Sequence, residues 1–244
     1  MTKPLTIDLM NPLGRPRGGG WSILCDFDGT ISDCDVADRL IDAFGDAACA
    51  TLEDDWKAGR IGSRACMAGQ VARLDMDQDE LDSVLDSITL DPDFAEFART
   101  TRGMGIPLTI VSDGLDYAIH RILRRYRLRG VPVLANRLVR QGERRWALEF
   151  PHGNPDCRVA SGHCKCLSVE RLHRSDEQVL FIGDGASDFC ASGRADHVFA
   201  KGKLVDYCRE KRIAHSPMLD FADAMAMLPA LLAQDHTTLE ALTT

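Results

Sequence analysis

The chain has 244 residues, a formal net charge of −8, 45% hydrophobic and 27% charged residues. This is the composition of an ordinary globular protein with room for one large domain, or for one domain carrying an insertion. It excludes a disordered or fibrous chain. The acidic balance argues against nucleic acid, whose phosphates demand clustered Lys and Arg. Met1 to Gly20 lacks an apolar signal-peptide core and no apolar run approaches membrane-spanning length, so the expectation is a cytoplasmic chain with no membrane partner. The nine cysteines, an odd number, are then expected as reduced thiols.

In chain order, residues 1–20 hold Pro4, Pro12, Pro16 and a Gly18-Gly19-Gly20 run and read as a flexible tail. Ser22 to Phe27 is the first strand. Helical periodicity follows: Cys34 to Phe44, with Val36, Leu40, Ile41 and Phe44 on one face, then Ala47 to Lys57, then Ser63 to Leu74 with Ser63 as N-cap. Asp77 and Glu80 have capping-box spacing for a helix to about Ile88, and Asp91-Pro92 predicts a capped start for a helix to about Arg102. About seventy residues without a strand, 34–103, are thus a helical insertion. Strand and helix then alternate: Leu108 to Ser112, a helix at Tyr117 to Arg127, Val131 to Ala135 with Arg145 to Phe150 pairing through Gln141-Gly142, a helix over Leu167 to Leu172, Val179 to Ile182, Val198 to Ala200, and a closing helix from Phe221 to Leu232. Continuous apolar runs such as LTIV and VLFI suit parallel strands buried on both faces. The fold class is therefore α/β, a doubly wound, mostly parallel sheet over 21–33 and 104–244, its site at the carboxyl ends of the strands and the helical segment 34–103 set over that site as a cap.

The chemistry concentrates at those strand ends. Ile23 to Thr30 reads ILCDFDGT, and Val179 to Asp188 reads VLFIGDGASD: two apolar strands each run into glycine turns carrying aspartates. Packing gives no reason to end buried strands in carboxylates; phosphoryl transfer assisted by Mg²⁺ does. Asp26 is the candidate nucleophile. Asp28, two residues on, lies on the same side and can give a proton to the leaving oxygen and later take one from water. Asp26, Asp28 and Asp184 form the expected metal set. Ser112 offers a hydroxyl to the phosphoryl oxygens, Asp113 and Gly114 offer backbone N–H groups, and Lys165 offers a cation.

These segments, in this order, resemble the haloacid dehalogenase superfamily of phosphatases. DFDGT is similar to its first motif, which implies Asp26 as nucleophile, Asp28 as acid and base, and Thr30 among the phosphate-binding residues. Ser112 matches the second motif, Lys165 the third, and GDGASD the fourth, with Asp184 on the metal and Asp188 supporting. Dehalogenases of this fold need neither a second aspartate nor a metal, so Asp28 and Asp184 point to phosphatases. The helical insertion resembles that of the phosphoserine phosphatase-like branch, as does Ala135 to Leu138 (ANRL). SDGLDYAIHRIL, EFPHGNPDC…GHCKC and FAKGKLVDYC are more similar to the methionine-salvage phosphatase family MtnX, which acts on 2-hydroxy-3-keto-5-methylthiopentenyl-1-phosphate. Phosphoserine phosphatases carry Glu nine residues after the nucleophile to hold the substrate's amino group. This chain has the shorter Asp35 there, which favours the MtnX-like small phosphorylated metabolite, with phosphoserine as the alternative substrate and a non-catalytic binding scaffold as the alternative to an enzyme, and implies a role for Asp35 in leaving-group recognition or cap closure.

Two clusters invite other readings. Cys157, His163, Cys164 and Cys166, with His152 nearby, have the elements of a zinc site, but their spacing is not that of a structural zinc motif and buried thiols are expected instead. Arg121, Arg124, Arg125, Arg127 and Arg129 lack the interleaved aromatics of a nucleic-acid surface and read as a solvated helix face. Arg60, Arg64 and Gln70 of the insertion are within reach of a substrate role.

Overall fold

A computed structural model describes residues 20–242 of the chain, with side chains to residue 233. The expected tail over residues 1–19 lies outside the described residues. Seven strands form one sheet: β1 (Trp21–Cys25), β2 (Leu108–Leu115), β3 (Val133–Arg140), β4 (Trp146–Glu149), β5 (Gln178–Gly183), β6 (His197–Ala200) and β7 (His215–Pro217). Their order is β4-β3-β2-β1-β5-β6-β7, with only the β3–β4 pair antiparallel. The chain leaves β1 toward β2 on one side and later returns to β5 on the other. The carboxyl ends of β1 and β5 are therefore the switch point of the sheet.

Alternation along the strands builds two cores. Ile23, Cys25, Phe27, Leu180 and Ile182 face one apolar cluster, and Leu24, Val179 and Phe181 face the other. Between β1 and β2 come α1 (Val36–Phe44), α2 (Ala48–Lys57), α3 (Ser63–Val71), α4 (Gln78–Ser87) and α5 (Phe94–Gly103). The excursion has a neck: Ser32 and Leu90 form a lone antiparallel bridge, with Asp33 N donating to Thr89 O at 3.1 Å and Asp91 N to Ile31 O at 2.8 Å. α5 lies beyond that neck and packs on the sheet side, where Phe94 and Phe97 meet Phe221 at ring-centroid distances of 4.9 and 5.1 Å.

The remaining helices are α6 (Asp116–Arg125), α7 (Lys165–His173), α8 (Phe189–Ser192), α9 (Gly202–Lys211) and α10 (Phe221–Leu242). α9 and β7 have no counterpart in the sequence reading. α9 buries only Leu204 and Cys208 among charged neighbours, and β7 has three residues. The capping box at Asp77 and Glu80 is present in full. Two expected caps are not. Gly62 precedes α3 and Ser63 is its first residue, with its hydroxyl spent elsewhere. Asp91 caps a turn instead, accepting from Asp93 N at 3.0 Å, and α5 starts after Asp93 with Pro92 outside it.

The core hairpin β3–β4 reaches up to the insertion. Trp146 Nε1 donates to Met76 O at 2.9 Å, and Arg144 pairs with Asp75, Asp77 and Glu80 at 2.6, 3.3 and 2.8 Å. The arginines of α6 are not all a solvated face. Arg121 bridges Asp82 and Asp86 at 3.0 and 2.8 Å, and Arg125 donates to the carbonyls of Leu85 and Ile88 at the end of α4. Among the described residues no helix is long and apolar enough to cross a membrane.

Candidate active site

Asp26 is the first residue after β1, and its N–H continues the ladder by donating to Ile182 O at 2.8 Å. β5 ends one residue before Asp184, so two neighbouring parallel strands deliver both carboxylates to one place. Lys165, the first residue of α7, is buried and spans the floor. Its Nζ lies 2.7 Å from Asp26 Oδ1, 2.7 Å from Asp188 Oδ1 and 3.1 Å from Ser187 Oγ. Burial disfavours its charge, but Asp188 and Asp26 hold its pKa above the ordinary lysine value.

Asp188 is fully buried and organises the turn. Its Oδ2 accepts from Asp184 N at 2.9 Å and Gly185 N at 3.2 Å. Oxygens of Asp26, Asp184 and Asp188 lie within 4.8 Å of one another, and among the described residues no other group of three His, Cys, Asp or Glu meets so closely. Burial first, then the charge of Asp188, pushes Asp26 well above the carboxylate range and Asp184 upward in the same way. Three crowded carboxylates with one lysine among them could hold a hard dication such as Mg²⁺, which would offset that repulsion. Gly29, at φ +72°, is needed for the approach: a Cβ there would lie 2.7 Å from Asp184 Oδ2.

Asp28, expected among the metal ligands, has its side chain elsewhere. Strand alternation no longer applies past the end of β1. Its Oδ1 accepts from Val36 N at 3.0 Å and its Oδ2 from Ser112 Oγ at 3.2 Å. Asp188 takes its place in the carboxylate group. Burial, followed by the charge of Asp35, raises the Asp28 pKa to about 7, against the pull of the Val36 N–H and of Ser112. Such a carboxyl group retains a proton near neutrality and can give it up.

The other candidates are distributed unevenly. β2 runs on to Leu115 with its register to β3 shifted between Val111 and Leu115, and Ser112 to Gly114 sit in that irregularity. Gly114 N, expected to face phosphate, donates to Ser112 Oγ at 2.8 Å. The Asp113 side chain turns toward the insertion. Thr30 Oγ1 donates to Asp184 Oδ1 at 3.3 Å, so it stands on the carboxylate side. Asp35 caps α1, accepting from Asp38 N at 3.1 Å; burial and then Glu53 raise its pKa, against the pull of the Asp38 and Ala37 N–H groups. Arg60 pairs with Asp55 at 2.6 Å, Gln70 is buried against Glu53 at 3.3 Å, and Arg64 binds the loop before α7.

The sequence reading omitted Lys201, whose Nζ donates to Thr30 O at 3.1 Å and whose charge lowers the pKa of Asp184. Its signal was available: a basic residue directly after an apolar strand, at the edge that carries the aspartates. The cysteines also depart from expectation. Cys166, directly after Lys165, is disulfide-bonded to Cys190, because α7 and α8 bring their Cα atoms to 6.0 Å. Cys157 and Cys164 are free.

Comparison with known proteins agrees with this geometry. The profile of the haloacid dehalogenase-like hydrolases matches residues 23–192. The chain is 29% identical over 209 residues, covering 84% of it and 94% of the relative, to a 2-hydroxy-3-keto-5-methylthiopentenyl-1-phosphate phosphatase of Brevibacillus brevis. It is 30% identical over 208 residues, covering 82% and 93%, to the protein of that name in Exiguobacterium sibiricum. Its fold is similar to that of a phosphoserine phosphatase bearing a phospho-aspartyl intermediate analogue, with a TM-score of 0.66, 18% identity and 86% of this chain covered against 99% of the other. With a matching profile that spans most of its length and both carboxylate turns in place, the chain belongs to the haloacid dehalogenase-like hydrolases.

Proposed function

We propose that the protein is a Mg²⁺-dependent phosphomonoesterase that works through an aspartyl-phosphate on Asp26, with the enol-phosphate of methionine salvage as its substrate. The observation that carries this reading is the division of labour at the end of β1. Asp26 is bonded to Lys165 within the carboxylate group, while Asp28, two residues on, has a pKa of about 7 beside Ser112. Asp26 would attack phosphorus, forming the O–P bond as the bond to the leaving enolate oxygen breaks, and Asp28 would give that oxygen its proton. Asp28, now a carboxylate, would take a proton from the water that attacks the aspartyl-phosphate, releasing phosphate and restoring Asp26. Lys165 and Ser112 would hold phosphoryl oxygens, and Asp26, Asp184 and Asp188 would hold the dication, whose contribution is charge neutralisation at the phosphoryl group. The substrate assignment draws on relatives at 24–30% identity that carry that activity in their names.

The test is phosphate release from 2-hydroxy-3-keto-5-methylthiopentenyl-1-phosphate and from phosphoserine, with Mg²⁺ and with EDTA. Activity should require Mg²⁺, and Asp26→Asn should lower kcat by about a thousandfold or more while the variant keeps its fold. The enol-phosphate should exceed phosphoserine in kcat/KM by at least about tenfold, equivalent to about 1.4 kcal/mol of transition-state stabilisation. Phosphoserine ahead by that margin would overturn the substrate, and full activity in EDTA would overturn the mechanism.

A further inference from the structure

Asp113 stands between Ser112 and Gly114, yet its carboxylate collects donors from three distant segments. Oδ2 accepts from Ser63 Oγ, at the start of α3 in the insertion, at 2.8 Å. Oδ1 accepts from His163 N at 2.8 Å and from Asn136 Nδ2 at 3.1 Å, and the same amide donates to Asp113 O at 2.6 Å. His163 lies two residues before Lys165, and Asn136 is in β3.

The backbone around this residue is closely fitted. Arg64 N donates to Ala160 O at 3.1 Å, and its guanidinium Nη2 donates to Ser161 O at 3.0 Å. A Cβ at Gly62 would lie 2.5 Å from Ala160 Cβ, and one at Gly162 would lie 2.6 Å from Asp113 Oδ1. A side chain at Gly62 would hold the insertion off the loop, as would one at Gly153, whose Cβ would lie 2.8 Å from Arg64 Nη2, and one at Gly162 would push the loop off Asp113 and Asn136. Residues 62–64 of the insertion dock on the loop that leads into Lys165, and Asp113 is the point at which that seam meets β2.

We propose that Asp113 is a positioning residue that couples seating of the helical insertion to the placement of Ser112 and Lys165, with Ser63 as the insertion's half of the latch. With Ser63 docked, the carboxylate is fixed by donors on both of its oxygens. That fixes the irregular stretch 112–114, where Ser112 Oγ accepts from Gly114 N at 2.8 Å and points to Asp28 at 3.2 Å. The bond from His163 N fixes the loop just ahead of Lys165 through the same carboxylate. Without the Ser63 hydroxyl, Asp113 loses the donor to Oδ2, and the stretch 112–114 and the loop ahead of Lys165 loosen together. The latch pairs a neutral hydroxyl with a carboxylate. The effect on rate rests on the phosphatase reading, whereas the coupling between segments does not.

The experiment uses the full chain and the Ser63→Ala, Ser63→Thr and Asp113→Asn variants, read by amide hydrogen exchange and by steady-state kinetics with Mg²⁺ and an aryl phosphate. Ser63→Ala should speed exchange across residues 152–164 by about tenfold and lower kcat by about tenfold with KM changed less than about twofold. Ser63→Thr, which keeps the hydroxyl, should recover both to within about threefold of the parent. Asp113→Asn should speed exchange in both 152–164 and 60–66, since its amide nitrogen cannot accept. Unchanged exchange in Ser63→Ala overturns the coupling, whatever the rate does. Faster exchange with unchanged kcat, or with an effect confined to KM, also overturns it, because the catalytic groups would then be placed without the latch. A parent protein inactive on every phosphate ester would overturn the phosphatase reading, and the exchange data would still decide whether Asp113 joins the two segments.

Discussion

His163 shows what burial does to one ionisable side chain beside the candidate site. It is 2% exposed, its Nε2 pairs with Ser168 Oγ at 3.1 Å, and burial first, then the charges of His152 and Lys165, lower its pKa from 6.5 to about 3. Between those values the unfolded chain binds a proton at this residue and the folded chain does not. The group's contribution to stability is therefore complete above pH 6.5 and declines as pH falls toward 3, by about 1.4 kcal/mol for each unit. His152 and His197 shift in the same direction, so the comparison that isolates this share is with His163→Gln. Urea denaturation of the two proteins from pH 7 to pH 4 should give the variant the shallower loss; parallel curves would mean that His163 takes up its proton in the folded state. At this scale Asp26, Asp184 and Ser112 were legible in the sequence because carboxylates and a hydroxyl have no packing use at the ends of buried strands, whereas Lys165, at the start of α7, was legible only through its resemblance to a family motif. Ser63 and Asn136 were not, since each acts through a partner more than twenty residues away.

Among the elements, α4 allows a helix cap to be weighed against a surface ion pair. Asp77 and Glu80 satisfy the orphan N–H groups at its start with bonds of 2.9 and 2.8 Å, while Arg144 pairs with three acids that are two-fifths or more exposed. Asp77→Ala should cost about 1 kcal/mol in chemical denaturation. Arg144→Ala should cost less than that, because exposed ion pairs are screened by water and salt. The reverse order would show that the hairpin, rather than the cap, holds α4. The periodic, capped helices and the apolar parallel strands could be read from the chain because local pattern and tertiary role agree there. α9 could not, since its partners on the sheet supply what its own sequence lacks, and Ser63 looked like a cap because a hydroxyl at a helix start suits either a local or a distant acceptor.

For the whole molecule, the larger apolar cluster decides how the protein unfolds. It holds strand residues Ile23, Cys25 and Ile182 together with Leu74, Leu81 and Leu85 of the insertion and with Leu115, Ile119 and Trp146. Calorimetry should show one transition, because neither part keeps a complete core without the other. Phe221→Ala, which removes the ring between Phe94 and Phe97, should lower stability by about 3–5 kcal/mol.

The neck at Ser32 and Leu90 makes the intervening chain a closed excursion, departing and returning at neighbouring rungs. No strand of the sheet spans it, so its length is invisible to the ladder of β1 and β2. Segments of other lengths could be spliced between those two residues without changing any strand register, on one condition. The replacement would have to cover the apolar side chains of Leu115, Ile119 and Trp146, so the surface it lands on, and not the joint it grows from, sets which excursions this sheet can carry.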